Sequence, residues 1–139
     1  MSAGLADAAG VARVTLSHPL KMNAISVAMW EQLREAFVAC SAAADSTRVV
    51  LISGDGGNFA AGGDIAEFPA FRFDEQRLRQ FHEAGVAPAL RALLDCELPI
   101  VAQIDGACVG GGLEIAACCD LRICGRASRF GIPIARLGF

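Results

Sequence analysis

The chain has 139 residues, a usual length for one folded domain, so we expect residues 1–139 to form a single domain. With 54% apolar and 19% charged residues, its composition lies far from that of disordered chains. A net charge of -3, with Lys21 the only lysine among 12 basic residues, excludes a strongly basic nucleic-acid binder. No apolar run approaches the roughly 18 residues that a membrane span needs. We therefore predict a folded protein whose partners include neither nucleic acid nor a membrane.

The first half of the chain predicts a strand, a helix and a second strand. Residues 11–17 alternate between two faces, as a half-buried strand does. Beyond residue 27, Trp30, Leu33, Phe37 and Cys40 recur every three or four positions, which predicts a helix to about residue 43 with Ser26 as its N-cap. Residues 48–53 are a short apolar run stopped by glycines, which indicates a buried strand leading into a loop.

The second half repeats this alternation. Residues 78–94 keep a helical period, and Pro88 should kink or divide that helix because it lacks a backbone N–H. Residues 99–104 predict a buried strand, and the three glycines at 110–112 precede a helical run. Residues 121–124 and 129–131 are short strand candidates. The order of elements predicts an α/β fold with layered sheets.

Six cysteines are present, but they include no C-x-x-C pair, and neither His18 nor His82 lies at ligand spacing from them. We interpret them as reduced thiols that serve as small core residues, and we expect no metal site. A reducing compartment such as the cytoplasm follows as an expectation. The cysteines are Cys40, Cys96, Cys108, Cys118, Cys119 and Cys124.

Two glycine-rich loops, at residues 59–64 and 106–114, are the candidate site for binding or catalysis. Each follows a predicted buried strand, and glycines there let the backbone approach a ligand closely. A helix that begins near Gly111 or Gly112 would add free N–H groups. Two N–H donors from separate loops that meet at one oxygen form an oxyanion hole. The alternative is that the glycines only permit tight turns and close helix packing.

Four segments, in chain order, resemble the crotonase family, also called the enoyl-CoA hydratase/isomerase family. They are LSHPLKMNA at 16–24, NFAAGGDIAEF at 58–68, GACVGGGLE at 106–114 continued to Asp120, and FGIP at 130–133. The resemblance implies a spiral of ββα turns, and a closed homo-oligomer, a trimer or hexamer. Family members continue well beyond this length, so the C-terminal helical part is apparently missing from a domain that resembles the first half.

The resemblance also implies site residues for an acyl-CoA substrate. Gly63 and Gly111 would supply the oxyanion N–H groups, and Glu114 would be the acid/base, unless it only complements the helix dipole. No separate cofactor is expected, because coenzyme A is part of the substrate. Asp64 could instead cap a loop, and Lys21 could be a solvated residue rather than a phosphate ligand. The residues implied at the CoA and substrate rim are Lys21, Met22, Ala24, Ala61, Gly62, Asp64 and Ile65.

One departure from the family pattern affects the expected reaction. Ile134 stands where the resemblance implies a second glutamate, and it can neither hold a water nor move a proton. We therefore expect Glu114 to be the only ionisable side chain close to the reacting carbons, with His82 a partly buried helix residue. A solvated helix start is expected at Arg72, Asp74, Glu75, Arg77 and Arg79, although the resemblance implies that this region borders the substrate pocket. Isomerisation, hydration by one carboxylate, another CoA-thioester reaction such as decarboxylation, and non-catalytic acyl-CoA binding all remain open.

Overall fold

A computed structural model describes residues 2–4 and 9–133 as a layered α/β structure. Two segments between its helices are not α-helical: a 3₁₀ turn at Phe68–Ala70 and a wider π-helical turn at Phe81–Val86. The strands are β1 Ser2–Gly4, β2 Val11–Leu16, β3 Val49–Gly54, β4 Ile100–Ile104, β5 Ala107–Val109, β6 Leu121–Cys124 and β7 Arg129–Gly131. The α-helices are α1 Val27–Ala42, α2 Glu75–Gln80, α3 Ala87–Leu94 and α4 Gly111–Ala117.

The strands form two sheets. The larger sheet has the order β1-β2-β3-β4-β6, in which β1 is antiparallel to β2 and the remaining neighbours are parallel. The smaller sheet pairs β5 with β7 in parallel, with Cys108 opposite Phe130. Parallel neighbours need long crossover connections, and helices supply them here.

Successive turns of the chain repeat one path. β4 lies in the large sheet, β5 lies in the small sheet, α4 crosses back, and β6 and β7 repeat the first two steps. In the earlier turns, isolated bridges stand where the second strand would be. Ala60 pairs with Cys108, and Ile25 pairs with Gly63. The fold is therefore the predicted stack of ββα turns.

The main core lies between the large sheet and α1. Ser26 caps α1 as predicted, because its side-chain oxygen accepts from the Met29 N–H at 3.2 Å. The helical residues that share one face all lie in the core, where they meet the inward residues of the parallel strands. On α1 these are Trp30, Leu33, Phe37 and Cys40; on β2, β3 and β4 they are Val14, Leu16, Val50, Ile52, Ile100, Ala102 and Ile104.

Most predicted elements are confirmed to within a few residues, with two additions and one correction. β1 and β5 were not predicted. The predicted helix 78–94 begins earlier, at Glu75, where the Asp74 side chain accepts from the Arg77 N–H. The helix is divided, but the π-helical turn divides it rather than Pro88. Pro88 lies in the first turn of α3, where a missing backbone N–H costs least. In the described part of the chain, no helix is both long enough and apolar enough to cross a membrane.

Candidate active site

A left-handed loop after β2 is held in place by one buried asparagine. Leu20, Met22 and Asn23 all have positive φ angles, of 67°, 47° and 58°. The Asn23 Oδ1 accepts from the His18 N–H at 3.0 Å, and its Nδ2 donates to the carbonyls of Asp55 and Asn58 at 2.7 and 2.8 Å. Since Asn23 is only 4% exposed, these bonds join the loop firmly to the glycine-rich segment after β3.

That segment is tied on both sides by backbone hydrogen bonds. Ala60 exchanges bonds with β5, donating to the Ala107 carbonyl and accepting from the Val109 N–H, each at 2.9 Å. On the other side, the Ala61 N–H donates to the Met22 carbonyl at 3.0 Å. Asn58 adds a side-chain bond, because its Oδ1 accepts from the Ala107 N–H at 3.0 Å. The loop that carries Gly63 is therefore fixed between the left-handed loop and β5.

The backbone around Gly63 fixes the direction of its N–H. The Ile25 N–H donates to the Gly62 carbonyl at 2.7 Å, and the Asp64 N–H donates to the Ile25 carbonyl at 2.9 Å. These are the two bonds of a parallel bridge centred on Gly63. Since alternate groups of an extended segment face opposite sides, the N–H of Gly63 itself points away from Ile25.

The second glycine loop brings another backbone donor to the same region. Gly110 has φ +50° and ψ -119°, a conformation for glycine, and its N–H donates to the Gly131 carbonyl at 2.9 Å. α4 begins at Gly111, so the Gly111 N–H has no carbonyl partner within the helix. A Cβ at Gly111 would lie 2.9 Å from the Cζ2 of Trp30, so the indole ring and this peptide are in direct contact.

A cavity of about 270 Å³ joins these features. Gly63, Gly111 and Glu114 all line it, which brings together the three residues predicted to carry the chemistry. Glu114 lies one helical turn into α4 and is exposed in the described chain. The remaining lining is mainly aromatic and aliphatic, and consists of Trp30, Phe68, Phe71, Arg72, Leu78, Phe81, His82, Val86, Gly110, Ile132 and Pro133.

Lys21 and Asp64 form an ion pair that the sequence did not predict. The Lys21 Nζ lies 2.6 Å from the Asp64 Oδ2, and the Asp64 side chain is 6% exposed against 42% for Lys21. The hydrogen bond from Lys21 holds the pKa of Asp64 below its ordinary value, against the opposing effect of burial. Asp64 also accepts from the Ala66 N–H at 3.1 Å, so the interpretation of Asp64 as a loop cap agrees with the geometry.

The residues predicted for the CoA rim do not line the cavity in the described chain. They lie instead on the left-handed loop and on the segment that carries Gly63. Met22 and Ile65 are 58% and 65% exposed, and Ala24 is buried. Their role toward CoA stays a prediction. The full set is Lys21, Met22, Ala24, Ala61, Gly62, Asp64 and Ile65.

Two expectations about the burial of ionisable side chains were wrong. Arg72 and His82 both line the cavity beside Glu114. That Glu114 is the only ionisable side chain close to the reacting carbons stays a prediction. His82 is exposed rather than partly buried, and Arg72 is half-buried rather than part of a solvated helix start. The reason is tertiary: stacking of Phe71 on Phe81 brings the residues before α2 against the wide turn that follows it. Ile134 lies outside the described residues.

All six cysteines are free thiols, and Cys40, Cys108 and Cys119 are buried. Burial raises the pKa of Cys108 to about 11 and that of Cys119 to about 12, so both stay protonated at neutral pH. Within residues 9–133, no group of three His, Cys, Asp or Glu side chains is arranged to hold a metal ion. The three buried thiols are core residues, as predicted, and Cys96 and Cys118 are partly buried against the core. Cys124 is exposed, so the prediction was wrong for that residue.

Sequence reasoning missed four residues that shape the site. Asn23 was only one letter of a motif, although a buried asparagine beside a turn is a signal for hydrogen bonds to neighbouring loops. Trp30 was read only as core, and its contact with Gly111 depends on how α1 crosses α4. No local pattern predicted Arg72 and His82 at the cavity, since their placement depends on packing between distant segments. Only the family resemblance implied that the region of Arg72 borders the substrate pocket.

The comparisons with known proteins agree with this geometry. Residues 6–139 match the family model described as enoyl-CoA hydratase/isomerase. The chain is 33% identical over 138 residues to the "Probable enoyl-CoA hydratase echA6" of Mycobacterium leprae, covering 97% of this chain and 52% of that protein. It is also 33% identical, over 134 residues, to a Mycobacterium tuberculosis protein named (7aS)-7a-methyl-1,5-dioxo-2,3,5,6,7,7a-hexahydro-1H-indene-carboxyl-CoA hydrolase, covering 93% of this chain and 51% of that one.

A solved structure gives the same result. The enoyl-CoA hydratase/carnithine racemase of Magnetospirillum magneticum superimposes with a TM-score of 0.88 at 39% identity, covering 94% of this chain and 48% of that one. The chain thus spans about half the length of these relatives. Because the family model matches nearly the whole chain and the ββα spiral agrees with the solved fold, the chain belongs to the enoyl-CoA hydratase/isomerase family and has the crotonase fold.

Proposed function

We propose that this protein acts on acyl-CoA thioesters by stabilising an enolate in an oxyanion hole, with Glu114 as the proton carrier. The observation that carries the proposal is the shared cavity lined by Gly63, Gly111 and Glu114. The chemistry is that of an enoyl-CoA hydratase or isomerase in fatty-acid or related acyl-CoA breakdown.

The two backbone donors would act on the thioester oxygen. The Gly63 N–H points away from Ile25, and the Gly111 N–H is free of partners within its helix, so both can donate to one acceptor in the cavity. When a proton leaves the α-carbon, negative charge moves to that oxygen, and fixed donors stabilise it more than they stabilise the neutral thioester. Loss of one such donor typically costs about 3 kcal/mol of transition-state stabilisation.

Glu114 would carry the proton. As a carboxylate it can remove a proton from one carbon of the enoyl chain and return it to another, which moves the double bond and leaves the carboxylate as it began. The same group could assist the addition of water, taking a proton from the water as its oxygen bonds to the β-carbon and delivering a proton to the α-carbon. Both routes place negative charge on the thioester oxygen, in a dienolate during the double-bond shift and in the enolate of a 3-hydroxyacyl thioester during hydration.

The sequence favours a reaction that one carboxylate can carry out alone. Ile134 stands where the family resemblance implies a second glutamate, so a mechanism that divides the work between two carboxylates lacks one of them. A different thioester reaction on the same oxyanion hole is the second candidate. The relative from Mycobacterium tuberculosis supports this candidate, because it is named a CoA hydrolase and is as similar to this chain as the relative named an enoyl-CoA hydratase.

We further propose that the left-handed loop and the Gly63 segment hold the CoA moiety. Lys21 remains 42% exposed although it pairs with Asp64, and the exposed side chains of Met22 and Ile65 offer apolar contact on the same side. Assembly as a closed homo-oligomer is supported by the exposed apolar residues Leu121, Ile123 and Phe130. A cytoplasmic setting rests only on the free thiols.

The test is the change Glu114→Gln, which keeps the shape of the side chain and removes its basicity. We expect turnover of 2-enoyl and 3-enoyl thioesters to fall about a hundredfold or more, with little change in CoA binding. Glu35→Gln, at an exposed position of α1 outside the cavity, is the matched control. Parent-like turnover in Glu114→Gln would make Glu114 a capping residue. A parent protein that binds acyl-CoA but turns over neither thioester would favour the binding-protein alternative.

A further inference from the structure

The two proposed oxyanion donors share one support at the start of α1. It consists of Ile25, which stands just before the N-cap Ser26, and Trp30, which lies one turn into the helix, and both are buried. We propose that this α1 pair, Ile25 and Trp30, sets the separation between the N–H groups of Gly63 and Gly111. The two are positioning residues, and the inference rests on the proposed function because it explains how that oxyanion hole is held together.

The main chain of Ile25 holds the peptide of Gly63. The Ile25 N–H donates to the Gly62 carbonyl at 2.7 Å, and the Ile25 carbonyl accepts from the Asp64 N–H at 2.9 Å. Gly63 lies between these two bonds, so its own N–H keeps its direction as long as the bridge is intact. A shift of Ile25 would therefore carry the first donor with it.

The side chains of the α1 pair meet at Gly111. A Cβ at Gly111 would lie 2.9 Å from the Trp30 Cζ2, 3.3 Å from the Trp30 Cη2 and 3.4 Å from the Ile25 Cδ1. The space that a side chain of Gly111 would occupy is therefore filled by these two residues. Because the Gly111 nitrogen is bonded to the same Cα, packing there limits where the second donor can lie.

The other connection between the two glycine loops lies further from the donors. The Val109 N–H donates to the Ala60 carbonyl at 2.9 Å, but Gly62 and Gly110 then follow, with φ angles of +105° and +50°. Glycine has wide backbone freedom, so this bond alone leaves the directions of the two donor N–H groups open to change. The α1 pair acts beyond both of these glycines, at the donors themselves.

The use of tryptophan in this pair has a cost that another core residue would avoid. Among the described residues, the Trp30 Nε1 is a buried side-chain nitrogen without a hydrogen-bond partner. A buried, unpaired donor is unfavourable, and phenylalanine or leucine would fill a core without one. The atoms that contact Gly111, Cζ2 and Cη2, are at the far edge of the indole ring, which a phenylalanine at this position would not reach. The length of the ring is therefore what this position uses.

Infrared spectra of a bound thioester test the inference without requiring turnover. The probe is hexanoyl-CoA with an isotopic label at the thioester carbonyl carbon, a saturated chain that neither isomerises nor adds water. Hydrogen-bond donors at that oxygen lower the carbonyl stretching frequency, so the shift on binding reports how well both N–H groups reach it. We expect Trp30→Phe and Ile25→Val to lose about half of the shift of the parent protein or more.

Turnover of a 2-enoyl thioester gives a second readout on the same variants. We expect kcat to fall about tenfold in each, with little change in KM, because misplaced donors lose stabilisation of the transition state more than binding of the substrate. Trp30→Phe also removes the unpaired donor, which offsets part of the packing loss. If Trp30→Phe does not fold, Ile25→Val, which removes a single methylene group, decides the test.

Phe37→Leu and Ile52→Val are the matched controls. Both positions are fully buried in the same core, and neither lines the cavity. These variants should lose stability to urea as the test variants do, and they should keep the infrared shift and kcat of the parent protein. Equal losses of shift in the controls would mean general loosening of the core and would overturn the inference.

Two further results are decisive. A parent-like shift and kcat in either folded test variant would overturn the inference for that residue, which would then act with its neighbour as a hydrophobic staple that fixes the entry into α1. If the parent protein does not bind the labelled hexanoyl-CoA, or binds it without a shift, the proposed oxyanion hole itself fails, and the inference with it.

Discussion

The two sides of the cavity are built in different ways. The glycine wall, residues 58–64 and 110–114, is held by backbone hydrogen bonds to neighbouring strands, by the buried side chain of Asn23 and by the partly buried side chain of Asn58. The aromatic wall, residues 68–86, consists of a 3₁₀ turn, a short helix and a π-helical turn, whose backbone hydrogen bonds are mostly local, and ring contacts join the 3₁₀ turn to the π-helical turn. Most of its residues are exposed.

This difference suits two tasks of an enzyme that acts on acyl thioesters. Stabilising an oxyanion needs donors that do not move as charge develops, and a backbone fixed on both sides supplies them. Recognising the far end of an acyl group needs side chains whose identity and position can vary, and a segment with few backbone ties permits that. The glycine wall should therefore resist substitution, and the aromatic wall should tolerate it.

The largest effect is expected at Gly112, within the glycine wall. A Cβ there would lie 2.7 Å from the Ala60 carbonyl oxygen and 2.9 Å from the Ala60 Cβ, so α4 would have to move away from the loop. We expect Gly112→Ala to lower the free energy of unfolding by about 3 kcal/mol, the upper range for overpacking. Urea denaturation measures it, with the slope checked for a change in compactness. A loss below about 1 kcal/mol would show that this wall is not rigid.

Asn23 should have the next largest effect. Asn23→Ala removes three hydrogen bonds and leaves the carbonyls of Asp55 and Asn58 without these donors. The expected loss of stability is about 2 kcal/mol, by urea denaturation. Asn23→Asp keeps an acceptor for the His18 N–H but sets a buried carboxylate oxygen against the two carbonyls, so at neutral pH it should destabilise the protein at least as much as Asn23→Ala. Equal stability of all three proteins would contradict the proposed role of Asn23.

Acid should weaken the ion pair behind the glycine wall. The pKa of Asp64 is lower in the folded protein than its ordinary value near 3.9, so its contribution to stability is fully present above about pH 4. The contribution is lost as the pH falls through the folded pKa. Asp64→Asn should therefore give a flatter stability curve between about pH 2 and pH 5, while Asp45→Asn, at an exposed position, should follow the parent. Parallel curves for Asp64→Asn and the parent would show that the pair has no effect.

The smallest effect, and one of opposite sign, is expected on the aromatic wall. A Cβ at Gly85 would meet nothing within 4 Å, and this glycine lies in helical backbone. Gly85→Ala should raise the free energy of unfolding by about 0.5 kcal/mol, because alanine restricts the unfolded chain. A thermal melt compares it directly with Gly112→Ala. Destabilisation by Gly85→Ala would mean that the wide turn needs its glycine and that the two walls are less different than the structure indicates.

Local patterns were enough to predict the elements that bury a face. The spacing from Trp30 to Cys40 predicted α1, and the apolar runs at β3 and β4 predicted buried strands. Both patterns arise because residues that face the core must be apolar. β5 was missed because its three residues lie between Gly106 and Gly110 and depend on pairing with β7 and on a single bridge with Ala60. β1 was missed because its small residues carry no alternation and depend on pairing with β2.

The site residues also differ in whether a local pattern could predict them. Gly63, Gly111 and Glu114 could be named from motifs, because backbone donors and an adjacent carboxylate sit within short glycine-rich segments. Arg72 and His82 could not, since their arrival at the cavity depends on the stacking of Phe71 on Phe81, ten positions along the chain. The pair between Lys21 and Asp64 likewise joins loops that are far apart in sequence.

The central claim is that Gly63 and Gly111 bind one oxygen beside Glu114. A crystal structure of the protein with an acyl-CoA bound tests it most directly. We predict the thioester oxygen within about 2.7–3.1 Å of both glycine nitrogens, with the Glu114 carboxylate facing the carbons next to the thioester. A thioester oxygen that contacts neither nitrogen, or N–H groups that diverge from it, would contradict the account.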